Sequence, residues 1–126
     1  MRITKLLLLL VILLVSISTA NAKKIDRKVS IQTVHDTITQ GEVDWYCKYI
    51  KSSTFTVSLV WNNPSNSLTP TVYSPDGSWT TFTDSSDGSI DGKIVITIYD
   101  ATPGYWLFKV YGAKVREIQP YSFTVT

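Results

Sequence analysis

Apolar and polar positions alternate with a period of two along much of this 126-residue chain. Phe55, Val57, Leu59 and Trp61 alternate with Thr56, Ser58 and Val60, and Tyr121, Phe123 and Val125 alternate with Ser122, Thr124 and Thr126. That spacing sends successive side chains to opposite faces of a strand and predicts one buried face in each segment. Ile94 to Gly112 reads as two apolar strands, Ile94 to Tyr99 and Tyr105 to Tyr111, joined by Asp100-Ala101-Thr102-Pro103-Gly104. Their β-branched and aromatic residues suit a pleated surface, and a five-residue connection holding proline and glycine predicts a hairpin. In the second of these strands Trp106, Phe108 and Val110 form the inward face, leaving Tyr105, Leu107, Lys109 and Tyr111 on the wetter one. Val43 to Ile50 has apolar residues at every odd position, while Asp44 and Lys48 share the even face with Tyr46 and Ile50. Val43, Trp45, Cys47 and Tyr49 are therefore expected to face inward.

The remaining segments are shorter. Val29 to Val34 is a predicted first strand, His35-Asp36 a break, and Thr37-Ile38-Thr39 a short strand entering a turn at Gln40-Gly41. Leu68, Pro70 and Val72 share one face, and Pro70, which has no backbone N–H, marks an edge strand or a bulge. Ser74-Pro75-Asp76-Gly77 has the composition of a tight turn, Ser78 to Phe82 returns as a short strand, and Thr83 to Gly92 is a polar, acidic loop. About eight short strands without an amphipathic helix predict an all-β fold, a two-sheet antiparallel β-sandwich of Greek-key or jelly-roll type.

Charge and targeting change the picture at the amino terminus. Met1 to Ala22 has the form of a secretory signal peptide: Arg2 and Lys5, then the apolar run Leu6 to Ile17, then Ala20-Asn21-Ala22 as a small-x-small cleavage site. The mature chain is expected to start at Lys23, with residues 23–28 a polar basic lead-in and residues 29–126 one β-sandwich domain. No later stretch is long and apolar enough to span a membrane, so the mature chain is expected to be secreted, extracellular or at the cell surface. The formal +2 of the whole chain comes from Arg2 and Lys5; the mature part balances ten basic against ten acidic residues. That balance gives no footprint for nucleic acid. Cys47 is the one cysteine, so no internal disulfide forms, and it is expected to be a small core residue.

Catalytic patterns are missing from the sequence. His35 is the single histidine and, in a polar break, is expected to lie exposed; one His and one Cys make no zinc spacing, and no glycine loop cradles phosphate. The protein is not expected to be an enzyme. Two binding chemistries remain. Asp84, Asp87 and Asp91 on the glycine-bearing loop are a candidate calcium site, set against the ordinary turn chemistry of Asp-Gly pairs. Trp79, Tyr73, Tyr105 and Tyr111 are candidate ligand-binding aromatics, each sharing a strand face with polar residues or lying beside a turn, and suited to stack on a sugar ring. From a different class, Val29 to Val34 is a possible template for self-association by edge-strand addition.

Four ordered stretches resemble the bacterial and archaeal pre-peptidase C-terminal domain, a small β-sandwich. They are Thr37-Ile38-Thr39-Gln40-Gly41-Glu42-Val43-Asp44-Trp45-Tyr46, Phe55 to Trp61, Val72-Tyr73-Ser74-Pro75-Asp76-Gly77, and Pro103-Gly104-Tyr105-Trp106 through Gly112 with Tyr121 to Val125. The family commonly has Asp-Leu-Asp-Leu where this chain has Ser67-Leu68-Thr69-Pro70, and related collagenase modules hold calcium with acidic residues. The resemblance implies a module normally attached to a secreted hydrolase, here behind a signal of its own. The expected function is a secreted, non-catalytic module binding an extracellular polysaccharide or surface protein, with no cofactor other than the candidate calcium. The alternative is a structural subunit of a surface layer or filament.

Overall fold

The computed structural model describes residues 33–126, and these form two four-stranded antiparallel sheets packed face to face. The strands are β1 (Thr33–Thr39), β2 (Val43–Ile50), β3 (Phe55–Trp61), β4 (Ser67–Tyr73), β5 (Trp79–Thr81), β6 (Lys93–Ile98), β7 (Gly104–Lys114) and β8 (Ile118–Val125). One sheet runs β1-β8-β3-β6 and the other β2-β7-β4-β5, so the expected all-β sandwich is the fold. Only β4 and β5 are both consecutive and paired; every other connection between consecutive strands passes from one sheet to the other. The signal peptide, the basic lead-in and Val29 to Gln32 of the expected first strand lie outside the described residues.

Alternation explains the core. Ile38, Phe55, Val57, Leu59, Trp61, Ile94, Tyr121, Phe123 and Val125 come inward from the first sheet and meet Ile50, Leu68, Val72, Trp106, Phe108 and Val110 from the second. Phe55 sets its ring edge-on to Trp106 and Phe108, with centroids at 4.9 and 6.3 Å. Burying each such side chain contributes about 1.5–3 kcal/mol. A polar network closes the loop after β3: the Trp61 indole donates to the Asn66 carbonyl at 3.0 Å, and the Asn66 amide donates to Gln119 Oε1 at 2.8 Å. Gln119 Nε2 in turn donates to the exposed Asn62 at 2.7 Å, so the buried amides of Asn66 and Gln119 are satisfied.

Three expectations change. Ile94 to Gly112 is not a hairpin, because β6 belongs to the first sheet and β7 to the second. Asp100 to Gly104 instead arches over the end of the sandwich: the Ala101 N–H donates to Ser53 O, Thr102 O accepts from the Trp106 indole, and Asp100 and Gly104 take positive φ. His35-Asp36 does not break the chain either; both lie within β1, paired with Ser122 and Tyr121 of β8. Finally, the faces of β2 are exchanged. Asp44, Tyr46 and Ile50 point into the sandwich, where Tyr46 stacks on Phe123 at 5.0 Å, while Trp45 and Tyr49 are exposed and Cys47 is half-buried on the outward face.

Pro70 does not lie on an edge strand, since β4 sits between β7 and β5, but the ladder is interrupted at its side. The Phe82 N–H donates to Pro70 O at 2.9 Å just beyond the three residues of β5, so the missing proline donor faces a side where the ladder has ended. A register shift between Ser67 and Leu68 adds the bulge. Ser74 to Gly77 forms the expected tight turn, closed by Gly77 N–H donating to Ser74 O at 3.0 Å.

Candidate functional site: an aromatic sheet face

The outward face of the β2-β7-β4-β5 sheet gathers most of the aromatics that the core does not use, Tyr99 after β6 being the exception. Cross-strand register places them in rows: Tyr49 beside Tyr105, then Cys47, Leu107, Tyr73 and Trp79, then Trp45, Lys109, Thr71 and Thr81, and finally Val43, Tyr111 and Thr69. Trp79 is 63% exposed, Tyr105 67%, Tyr49 49% and Trp45 42%. Rings couple into pairs across the sheet: Trp45 reaches over β7 to Tyr73, with centroids 5.7 Å apart, and Tyr49 is edge-on to Tyr105 of the adjacent strand at 5.0 Å. Lys109 lies in the middle, half-buried, its ammonium 5.9 Å from the Trp45 ring centroid, a distance at which the ring face attracts a cation. These rings leave an exposed apolar patch on one face of the sheet.

Trp79, Tyr73, Tyr105 and Tyr111, the four expected aromatics, are thus brought to one face, with Tyr111 and Tyr73 the less exposed pair. Sequence reasoning missed Trp45 and Tyr49 by turning β2 inward. Their signal was available in the neighbour: β7 is also apolar on its outward side, at Tyr105, Leu107 and Tyr111, and Val43 to Ile50 pairs with it residue by residue. At the sheet's edge Trp79 borders a groove of about 230 Å³ between the two sheets, lined also by Asp76, Ser78, Tyr99, Asp100 and Trp106. Asp76 is held as an anion there: the Ser78 N–H and hydroxyl donate to it at 3.0 and 2.8 Å, which lowers its pKa from the ordinary carboxylate value.

The acidic loop is built around Asp84. Its Oδ2 accepts from the Gly92 N–H at 2.8 Å, and its Oδ1 accepts longer bonds from Asp91 and Lys93 N–H, so this buried carboxylate ties the start of the loop to its end. Thr83 caps the short 3₁₀ turn Asp84–Asp87. Asp91 meets Asp84 through its backbone, and the Asp87 side chain lies outside what the structure describes. Among the described residues no three His, Cys, Asp or Glu side chains gather in a way that would hold a metal ion.

A second titratable cluster crosses the sandwich at its β1–β2 end. Tyr46 donates its hydroxyl proton to the Tyr121 oxygen, and Tyr121 donates to Asp44 Oδ2 at 2.6 Å. Burial, the hydrogen bond shared with Glu42, and the negative charges of Glu42 and Asp36 together push Asp44 up to about 7. Burial also raises both tyrosines above their ordinary value. Glu42 closes the β1–β2 turn by accepting from the Thr39 N–H at 2.9 Å. On the far sheet His35 lies exposed beside Ser122, 3.0 Å from its hydroxyl, on the face opposite to the aromatics.

No family model matches the chain. A protein of the archaeon Archaeoglobus fulgidus, described as "Uncharacterized protein", is 65% identical over 52 residues, which make up 41% of this chain and 75% of that protein. At that identity and coverage, the chain belongs to the same family as the archaeal protein.

Proposed function

We propose that this protein is a secreted, non-catalytic β-sandwich module that binds an extracellular polymer, glycan or protein, at or outside the cell surface. The observation that carries the reading is the aromatic face of the β2-β7-β4-β5 sheet, where Trp45, Tyr49, Trp79 and Tyr105 stand exposed on the same side. Beyond their pairing within the sheet, the exposed rings present flat faces that match the C–H faces of sugars or the apolar side chains of a surface protein. The resemblance to the pre-peptidase C-terminal domain, a companion of secreted hydrolases, fits the same role.

The test is co-sedimentation of purified protein with the source organism's cell envelope and with insoluble polysaccharides, each with calcium and with chelator. Saturable pelleting is expected, and Trp79→Ala combined with Tyr105→Ala should abolish it while the melting temperature stays within a few degrees, because both rings are mostly exposed. Unchanged pelleting by the double variant would remove the aromatic face as the site. Self-pelleting without any matrix would favour the alternative, a filament or layer subunit; β1, which is hydrogen-bonded to β8 on one side and forms the edge of its sheet among the described strands, is the element it would use.

A further inference from the structure

The position of Lys109 narrows the ligand. Its ammonium lies over the Trp45 ring at the centre of the aromatic face, and the outward positions of the four described strands around it hold no carboxylate. A cation set on an aromatic surface selects an anion of matching position. A second copy of the chain fits poorly, since packing this face on itself about a two-fold axis through β7 would bring the two Lys109 side chains together. Nucleic acid fits poorly too: it draws affinity from many phosphate contacts, whereas residues 33–126 carry nine acidic and six basic side chains. The matching polymer has flat apolar faces and sparse negative charge.

Building on the polymer-binding reading above, we infer that the aromatic face binds an acidic polysaccharide, with a sugar carboxylate on Lys109 and the adjoining pyranose faces on Trp45, Tyr105 and Trp79. Thr81, exposed at the edge of the same row as Lys109, shares a hydrogen bond with the Thr71 hydroxyl at 2.8 Å and keeps an oxygen lone pair for a sugar hydroxyl.

The experiment titrates purified protein with a sparsely charged oligogalacturonate, most of its carboxyls methyl-esterified and the rest left as free acid, and with the same oligomer fully methyl-esterified, following tryptophan fluorescence at low and moderate salt. The free acid should bind about fivefold more tightly than the ester, the effect of one partly exposed ion pair, and the preference should shrink as salt rises. Lys109→Met, which keeps the unbranched stem over Trp45, should erase the preference, and Lys109→Arg should restore it. Equal affinity for acid and ester, or a preference that survives Lys109→Met, would overturn the assignment. So would tighter binding of a single-stranded oligonucleotide than of the uronate. If neither oligomer binds while envelope pelleting remains sensitive to the Trp79 and Tyr105 substitutions, the acidic-glycan assignment fails and the polymer-binding reading stands.

Discussion

Asp44→Asn should make the protein more stable at pH 8 and leave it nearly unchanged at pH 4. Asp44 sits between the sheets, where burial and then the hydrogen bond shared with Glu42 raise its pKa from 3.8 to about 7, against the lowering effect of the Tyr121 hydroxyl that donates to it at 2.6 Å. A carboxyl group whose folded pKa exceeds its unfolded one binds protons more tightly in the native state. The stability it contributes is complete below about pH 4 and is lost as pH rises through about 7. Three pKa units correspond to about 4 kcal/mol, but the side chain is only partly buried, and screening by solvent reduces the effect to about 2 kcal/mol. The amide oxygen of asparagine still accepts from Tyr121, and its N–H still donates to Glu42, while no charge is left to desolvate. Urea denaturation of both proteins at pH 4 and pH 8 gives four free energies, and the gain from Asp44→Asn should be about 2 kcal/mol larger at pH 8 than at pH 4. Comparing the two pH values cancels any constant offset from the changed side chain. A pH-independent difference, or a larger gain at pH 4, would refute the claim that ionised Asp44 strains the interior.

Two packing features should respond as strongly. Asn66→Ala removes both the donor to Gln119 and the Oδ1 that accepts from the Arg116 N–H at 3.0 Å, leaving buried Gln119 short of a partner; a loss of about 2–3 kcal/mol in urea denaturation is expected, and a loss below about 0.5 kcal/mol would show that water replaces the amide at no cost. Gly112→Ala places a methyl group onto the Thr39 carbonyl oxygen, at the point where Gly41 N–H donates to Gly112 O and Gly112 N–H to Glu42 O; a drop of about 10 °C in melting temperature is expected, and an unchanged value would mean that the β1–β2 turn is not clamped there.

The parts of the fold legible in the sequence are those where one strand face is apolar and the other carries hydroxyls. In β3 and β8, threonines and serines mark the outer side, so Phe55 to Trp61 and Tyr121 to Val125 turn inward as the alternation predicts. The arch between β6 and β7 was not legible, because Asp-Ala-Thr-Pro-Gly reverses the chain equally well within one sheet or between two. What decides is the docking of Ala101 on Ser53 and of the Trp106 indole on Thr102, contacts that no local pattern encodes. The Asp44–Tyr121 bond is invisible for the same reason, its partners being 77 residues apart.

The reversed reading of β2 has a more informative cause. Period-two analysis assigns the more apolar face to the core, and on Val43 to Ile50 that face is Val43, Trp45, Cys47 and Tyr49. The actual inward face carries Asp44, which is kept there by Tyr121 and Glu42 at a cost in pKa, and Tyr46, which gains its stack on Phe123. Both halves of that exchange run against what folding alone favours: an acid is buried and two large aromatics are exposed. Local rules and the final structure disagree where something other than stability sets the residues. At β2 the disagreement falls on the strand that completes the aromatic face, with Trp45 beneath the Lys109 ammonium and Tyr49 against Tyr105. The misread strand is therefore itself an argument for a surface whose composition answers to a ligand.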